Sequence, residues 1–132
     1  MNRVFIDTSA IIALLVPTDA AHDRAARAFD RLRTRESVLV TTSYNLVETY
    51  ALLDRRFGRE STATFRSEFA PLLQVLWVDG DLHERGLDLM LERPTGVSLV
   101  DAVSFVCIRQ HRIDEVFAFD RHFEIEGFLI LD

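Results

Sequence analysis

Four carboxylates in this chain, Asp7, Glu48, Asp101 and Asp120, stand where acids can act together. Asp7 closes the apolar run Arg3–Ile6 (RVFI), and Asp120 closes Glu115–Phe119 (EVFAF). Glu48 lies one turn into the helical segment that follows Ser37–Thr41 (SVLVT), and Asp101 falls in the first turn of a segment opened by Ser98. In an α/β sheet the carboxyl ends of parallel strands line one crevice, so acids placed there converge. Converging like charges repel unless a cation or a proton relieves them. The pattern points to a divalent metal site and to phosphate chemistry. Each acid alone has a plainer reading, since the helix macrodipole favours an acid in a first turn, and capping by itself would account for Asp101. Capping explains four coincident positions poorly. It explains Glu48 worst, because that acid sits among Leu46, Val47, Tyr50 and Ala51 on a helix that must bury one face. Thr8, Ser9 and Ser98 flank the acids and can hold phosphate or ordered water, with helix capping as the simpler role for each.

The elements that must position these groups alternate along the chain. After the first strand, Thr8 and Ser9 are expected to cap a helix from Ala10 to Val16, which Pro17 ends. Asp19 is expected to cap a second helix to about Arg33, whose apolar positions Ala25, Ala28, Phe29 and Leu32 recur at helical spacing. Ser43 suits the cap of a helix from Tyr44 to Phe57, closed by Gly58, and a fourth helix runs from Glu60 to Phe69 before Pro71. A strand at Val75–Val78, a helix to Arg93 capped by Asp79 or Asp81, and a helix from Leu99 to His111 precede the fourth strand, and Phe128–Leu131 makes a fifth. Strands separated by helices imply a mostly parallel five-stranded sheet with helices on both faces, the α/β class.

Composition agrees and excludes little. At 132 residues, 48% of them apolar, the whole chain 1–132 reads as a single domain with a sizeable core. The apolar stretch Ala10–Val16 is too short to span a membrane, and no secretory signal precedes it, which points to the cytoplasm. The one cysteine, Cys107, lies in an apolar helical stretch and reads as a core thiol. The net charge of −6 argues against a nucleic-acid partner until four clustered carboxylates, neutralised by metal, are set apart from it. All fifteen basic residues are arginine, whose planar fork suits phosphate, although genomic base composition gives the same bias. Arg24, Arg27 and Arg31 share a helix face followed by Arg33 and Arg35, and Arg55, Arg56 and Arg59 form a second cluster. Either cluster can meet backbone phosphates, with Asp23, Asp30 and Asp54 as local partners in the alternative of a solvated face. The four histidines are scattered and show no ligand spacing.

The segments VFIDTSAIIALL, NLVETYALL around Glu48, SLVDAVSF around Asp101 and AFDRHF around Asp120 together resemble the PIN-domain ribonucleases, and within them the small toxins of bacterial VapBC toxin–antitoxin pairs. Motif order, spacing and length agree across essentially the whole chain. The resemblance implies a PIN-like fold and a metal-dependent endoribonuclease that leaves a 5′-phosphate and a 3′-hydroxyl. It implies Mg²⁺ or Mn²⁺ as cofactor, with Asp7 and Asp101 as principal ligands. Glu48 and Asp120 complete the site directly, through water, or by orienting the attacking water. RNA as substrate, a small cognate antitoxin and a homodimer follow as partners, with the apolar residues Ile11, Ile12, Leu15 and Val16 offering the protein-binding surface. The final motif departs from the family, which usually carries threonine or serine two residues before the last aspartate. Here that position is Ala118, with Phe119 beside the acid, so no sequence neighbour fixes the Asp120 rotamer.

Two other phosphate-handling folds fit less well. A receiver domain needs a lysine, absent here, and an aspartyl-nucleophile phosphatase needs a second aspartate where Ser9 stands. The closer alternative is a catalytically weak PIN-like protein that binds RNA or plays a structural part.

Overall fold

The computed structural model describes residues 2–131. Strands β1 (Arg3–Ile6), β2 (Val38–Thr42), β3 (Leu73–Leu76), β4 (Glu115–Phe117) and β5 (Leu129–Ile130) form one sheet in the order β3-β2-β1-β4-β5. Every pairing is parallel, with Phe5 opposite Val40 on one side and Val116 on the other. The central strand β1 is buried on both faces, as a parallel strand between two helical layers must be. Val4 and Ile6 point into one layer, built on α1 (Thr8–Leu15), α2 (His22–Thr34) and α3 (Ser43–Phe57), with Ala10, Ile11, Ala28, Leu32 and Leu53 in its core. Phe5 points the other way, onto Phe105 and Ile108 of α6 (Leu99–Gln110) and Phe123 of α7 (Arg121–Ile125). The strand period of two thus assigns alternate residues to opposite cores.

Between α3 and β3 the chain forms α4 (Arg59–Thr64), a π-helical turn Phe65–Phe69 and a short 3₁₀ turn at Ala70–Leu72. Helix α5 (Gly80–Leu91) lies against α6, close enough that a Cβ on Gly86 would sit 2.4 Å from Val103 Cγ2 and 3.1 Å from its Cα. Only glycine allows that approach. Cys107 is fully buried, and burial pushes its thiol up to about 11, so it is an inert core group. No helix among the described residues is long and apolar enough to cross a membrane.

The structure shifts several expected boundaries. Strand β3 comes two residues earlier than Val75–Val78: its apolar continuation includes Trp77, which is 74% exposed. Strand β4 ends at Phe117 rather than Phe119, and the five-residue helix α7 was not legible. Helix α1 is capped by Asp7, not by Thr8 or Ser9, and α3 by Thr42, not Ser43. In both cases the backbone is still extended at the cap, Asp7 just after β1 and Thr42 as the last residue of β2, and the next residue is already helical. Asp19 does not cap α2; its carboxylate accepts the Ala21 N–H at 2.9 Å in the turn before that helix. Asp79 and Ser98 cap α5 and α6 as expected. Of the apolar residues expected at the surface, Ile11 and Ile12 belong to the core, while Leu15 is exposed.

Candidate active site

The acids converge because each follows a different element to the same end of the sheet. Asp7 leaves β1 with its backbone N–H bonded to Phe117 O at 3.0 Å and caps α1 through its side chain. Asp101 forms a capping box with Ser98: Ser98 Oγ accepts the Asp101 N–H at 3.0 Å and Asp101 Oδ2 accepts the Ser98 N–H at 3.3 Å. Asp120 caps α7, accepting the His122 N–H at 2.9 Å. Three of the four acids are therefore N-caps or first-turn groups and site groups at once, since the hydrogen bond that caps the helix also fixes the carboxylate. Glu48 reaches the same place from the second turn of α3, half-buried. All four, with Thr8, Ser9 and Ser98, line one cleft of about 400 Å³.

Below the acids lies a buried polar network. Thr8 Oγ1 donates to Asn45 at 3.1 Å, and Asn45 Nδ2 donates to Thr42 Oγ1 at 3.0 Å and to Ser104 Oγ at 2.8 Å. Asn45 and Ser104 are each one helical turn from an acid, Glu48 and Asp101, so the network sets α1, α3 and α6 relative to one another. Thr8 is thus committed to this network, and Ser9 Oγ donates to Asp7 Oδ2 at 2.7 Å while accepting the Phe119 N–H at 2.9 Å.

The electrostatics match the crowding. Asp7 is buried, and desolvation, with added repulsion from Asp101 and Asp120, pushes it up to about 7 against the lowering effect of Ser9. Burial also raises Glu48, against a lowering side-chain hydrogen bond from Thr8 and with Asp101 and Asp120 adding to the rise. Burial raises Asp101 as well, with Asp120 next, while Ser98 and His122 pull it down. Three carboxyls that resist ionising side by side form a donor set that a hard divalent cation would complete. The residues present fit Mg²⁺ or Mn²⁺.

Sequence reasoning passed over His122 and Asp19 as site groups, and named Arg56 only within an arginine cluster. His122 lies with Nδ1 3.0 Å from Asp120 Oδ1 and 3.3 Å from Asp101 Oδ2, and those three residues form a cluster able to hold a metal ion. Its backbone also fixes Asp120, so the expectation that nothing nearby orients that acid is corrected. The available signal was the two-residue spacing of an acid and a histidine at a cap. Asp19 and Arg56 line the cleft too, from the turn after α1 and from α3. Of the arginine clusters, Arg56 reaches the cleft and Arg24 stacks over Phe119 at 5.3 Å, whereas Arg33 and Arg59 pair with Asp30 and Asp54.

Comparison with known proteins places this geometry. The PIN domain signature matches residues 4–127. The chain is 33% identical over 128 residues to the 23S rRNA-specific endonuclease VapC20 of two Mycobacterium tuberculosis strains, covering 96% of this chain and 95% of the relative. The crystal structure of M. tuberculosis VapC20, a Sarcin-Ricin loop cleaving toxin, superposes with a TM-score of 0.79 at 34% identity over 96% of each chain. FitAcB from Neisseria gonorrhoeae shares the fold, with a TM-score of 0.72 at 14% identity over 98% of this chain and 96% of that one. Signature, sequence and fold agree over nearly the full length: the chain belongs to the PIN domain family.

Proposed function

We propose that this protein is a metal-dependent endoribonuclease and the toxin of a toxin–antitoxin pair, its whole length serving as one nuclease domain. The observation that carries the reading is the meeting of Asp7, Glu48, Asp101 and Asp120 in one cleft, three of them raised by burial and mutual repulsion. Asp7 and Asp101 would be the principal ligands of Mg²⁺ or Mn²⁺, with Glu48 and Asp120 completing the site. The ion, when bound, supplies a nucleophilic water at neutral pH and offsets charge building on the phosphoryl and leaving oxygens.

The chain's own residues do the rest. Ser9 and Ser98 hold the two principal carboxylates in fixed rotamers. Glu48, on α3, completes the site directly, through water, or by orienting the attacking water. Arg56 at the cleft wall meets an RNA phosphate, with Arg24 above Phe119 as a second phosphate contact, so that an acidic protein still binds RNA locally. Hydrolysis breaks the bond to the 3′-oxygen, leaving a 5′-phosphate and a 3′-hydroxyl.

Kinship to a 23S rRNA-specific endonuclease makes ribosomal RNA the first substrate to test, in the cytoplasm where it is found. For the partner, Leu15, Val16, Pro17, Leu53, Phe57 and Phe65 line a groove of about 510 Å³ at the end of α1, suited to a small antitoxin's apolar segment. We place a homodimer in the same reading. A catalytically weak RNA-binding protein is the alternative, resting on Ala118 where the family usually has a hydroxyl. Incubation of end-labelled ribosomal RNA with the protein and Mg²⁺ or Mn²⁺ tests the proposal. Discrete cleavage with 5′-phosphate ends, abolished by EDTA and restored by added metal, is expected. Cleavage that persists in excess EDTA would sink the mechanism, and none under any metal would favour the weak-site alternative.

A further inference from the structure

We propose that His122 supplies an imidazole nitrogen to the metal alongside Asp101 and Asp120, so that the site takes a first-row ion such as Mn²⁺ in preference to Mg²⁺. This deepens the metal-dependent reading above and rests on it. The quartet of acids alone gives an all-oxygen site with no reason to discriminate in that direction.

The first observation is an orphaned atom. His122 Nδ1 is buried from solvent and makes no hydrogen bond, although Asp120 Oδ1 lies 3.0 Å away and Asp101 Oδ2 3.3 Å away. The nitrogen is near both oxygens but not aligned to donate to either. A buried polar atom without a partner calls for an explanation, and an absent ion is one.

The second observation is the spacing. Ligands at right angles around an ion at about 2.1 Å stand about 3 Å apart, the edge of a coordination octahedron. The two nitrogen–oxygen separations match such an edge, and the three ligand atoms lie within 4.8 Å of one another.

The third is that both carboxylates are already held. Asp120 Oδ1 accepts the His122 N–H at 2.9 Å, and Asp101 Oδ2 accepts the Ser98 N–H at 3.3 Å. The far edge of the imidazole faces Gly96, where an added Cβ would sit 3.6 Å from Nε2. The opposite edge, with Nδ1, faces the Asp101 and Asp120 carboxylates. A nitrogen donor favours first-row transition ions, least of all Mn²⁺ among them, over Mg²⁺, which keeps to oxygen ligands.

Pulsed electron paramagnetic resonance on the tag-free full chain loaded with Mn²⁺ tests this directly. Wild type should show echo modulation from a coordinated ¹⁴N, and His122→Ala should lose it while still binding Mn²⁺, roughly tenfold or more weakly. His122→Gln, which keeps bulk but offers no ring nitrogen, should behave as His122→Ala does. The margin by which Mn²⁺ outcompetes Mg²⁺ should shrink in both variants. Mn²⁺ bound to wild type without nitrogen modulation, or modulation unchanged in His122→Ala, would overturn the role of His122 alone. Failure of wild type to bind Mn²⁺ at all would overturn the metal-dependent reading with it.

Discussion

Asn45 Nδ2 donates to Ser104 Oγ at 2.8 Å, joining α3 to α6 through two fully buried side chains. Each partner sits one helical turn from a site acid, so this bond ties the spacing of Glu48 and Asp101 to the core rather than to solvent. Asn45→Ala would remove the side-chain bonds to Thr8, Thr42 and Ser104, whose hydroxyls keep the Asn45 carbonyl, the Asn45 N–H and the Val100 carbonyl as partners, and each lost bond costs about 0.5–1.5 kcal/mol. A fall in thermal stability together with reduced cleavage is expected, checked by melting and rate measurements on the same sample. Unchanged activity in a folded Asn45→Ala protein would show that the network does not set the acids.

Ser9 is expected to act through Asp7. Its hydroxyl and backbone N–H both bond Asp7 Oδ2, at 2.7 and 3.1 Å, and its Oγ also accepts the Phe119 N–H. Ser9→Ala should lower cleavage by roughly 10–100-fold, the usual effect of losing a group that orients a ligand. The backbone bond remains, so α1 should stay capped and the melting temperature should fall only by what the Phe119 N–H loses with its acceptor. Metal titration of Ser9→Ala should show weaker binding, and unchanged affinity would place Ser9 outside the site's support.

Without metal, stability should fall as pH rises from about 4 to about 7 and level off above that. Asp7 is raised in the folded state from 3.8 to about 7, so between those values the native state holds a proton that the unfolded chain has released. Below the lower value both states are protonated and Asp7 contributes nothing. Above the upper value its ionised form opposes folding by up to ~4 kcal/mol. Asp101 and Glu48 are shifted in the same direction. Denaturant melts of metal-free protein at pH 5 and pH 8 should show the loss, and Mn²⁺ at pH 8 should reverse it. A metal-free protein equally stable at both pH values would contradict the buried, repelling arrangement.

Glu126 offers a sign-opposite control away from the cleft. Arg93 bonds it through two nitrogens at 2.9 Å and Arg109 through one at 2.8 Å, and the Arg93 hydrogen bond chiefly holds its carboxylate below the usual range. This contribution is present above the ordinary carboxylate range and is lost as pH falls below it. Glu126→Gln should therefore lower the melting temperature at pH 7 and flatten the acid limb of stability. An unchanged melting temperature would show that these pairs only decorate the surface.

Asp7 and Asp101 were legible because strand ends and helix starts leave strong local marks, and Ser98 with Asp101 three residues on is such a mark. The expected caps Thr8 and Ser43 were each one residue late. Hydroxyls suit caps as well as Asp7 and Thr42 do, and only the backbone decides between neighbours. Helix α7 was hidden by its length of five residues, and with it the pairing of Asp120 and His122. Trp77 drew the third strand too far along, since its apolarity suggested burial while the fold leaves it exposed. Asn45 was invisible because its partners, Thr8 and Ser104, come from distant parts of the chain and meet only in the folded core.

The central claim is that the acids exist for metal-assisted cleavage and not merely to cap helices, and Asp7→Asn separates the two. Asparagine caps a helix about as well as aspartate, so α1 should survive while one charge leaves a repelling cluster. Single-turnover cleavage of ribosomal RNA in saturating Mn²⁺ should drop by more than about 100-fold, beyond the range of an orienting group. The same protein, metal-free at pH 8, should melt at or above the wild-type temperature. Retained cleavage, or a melting temperature that falls along with activity, would contradict the account.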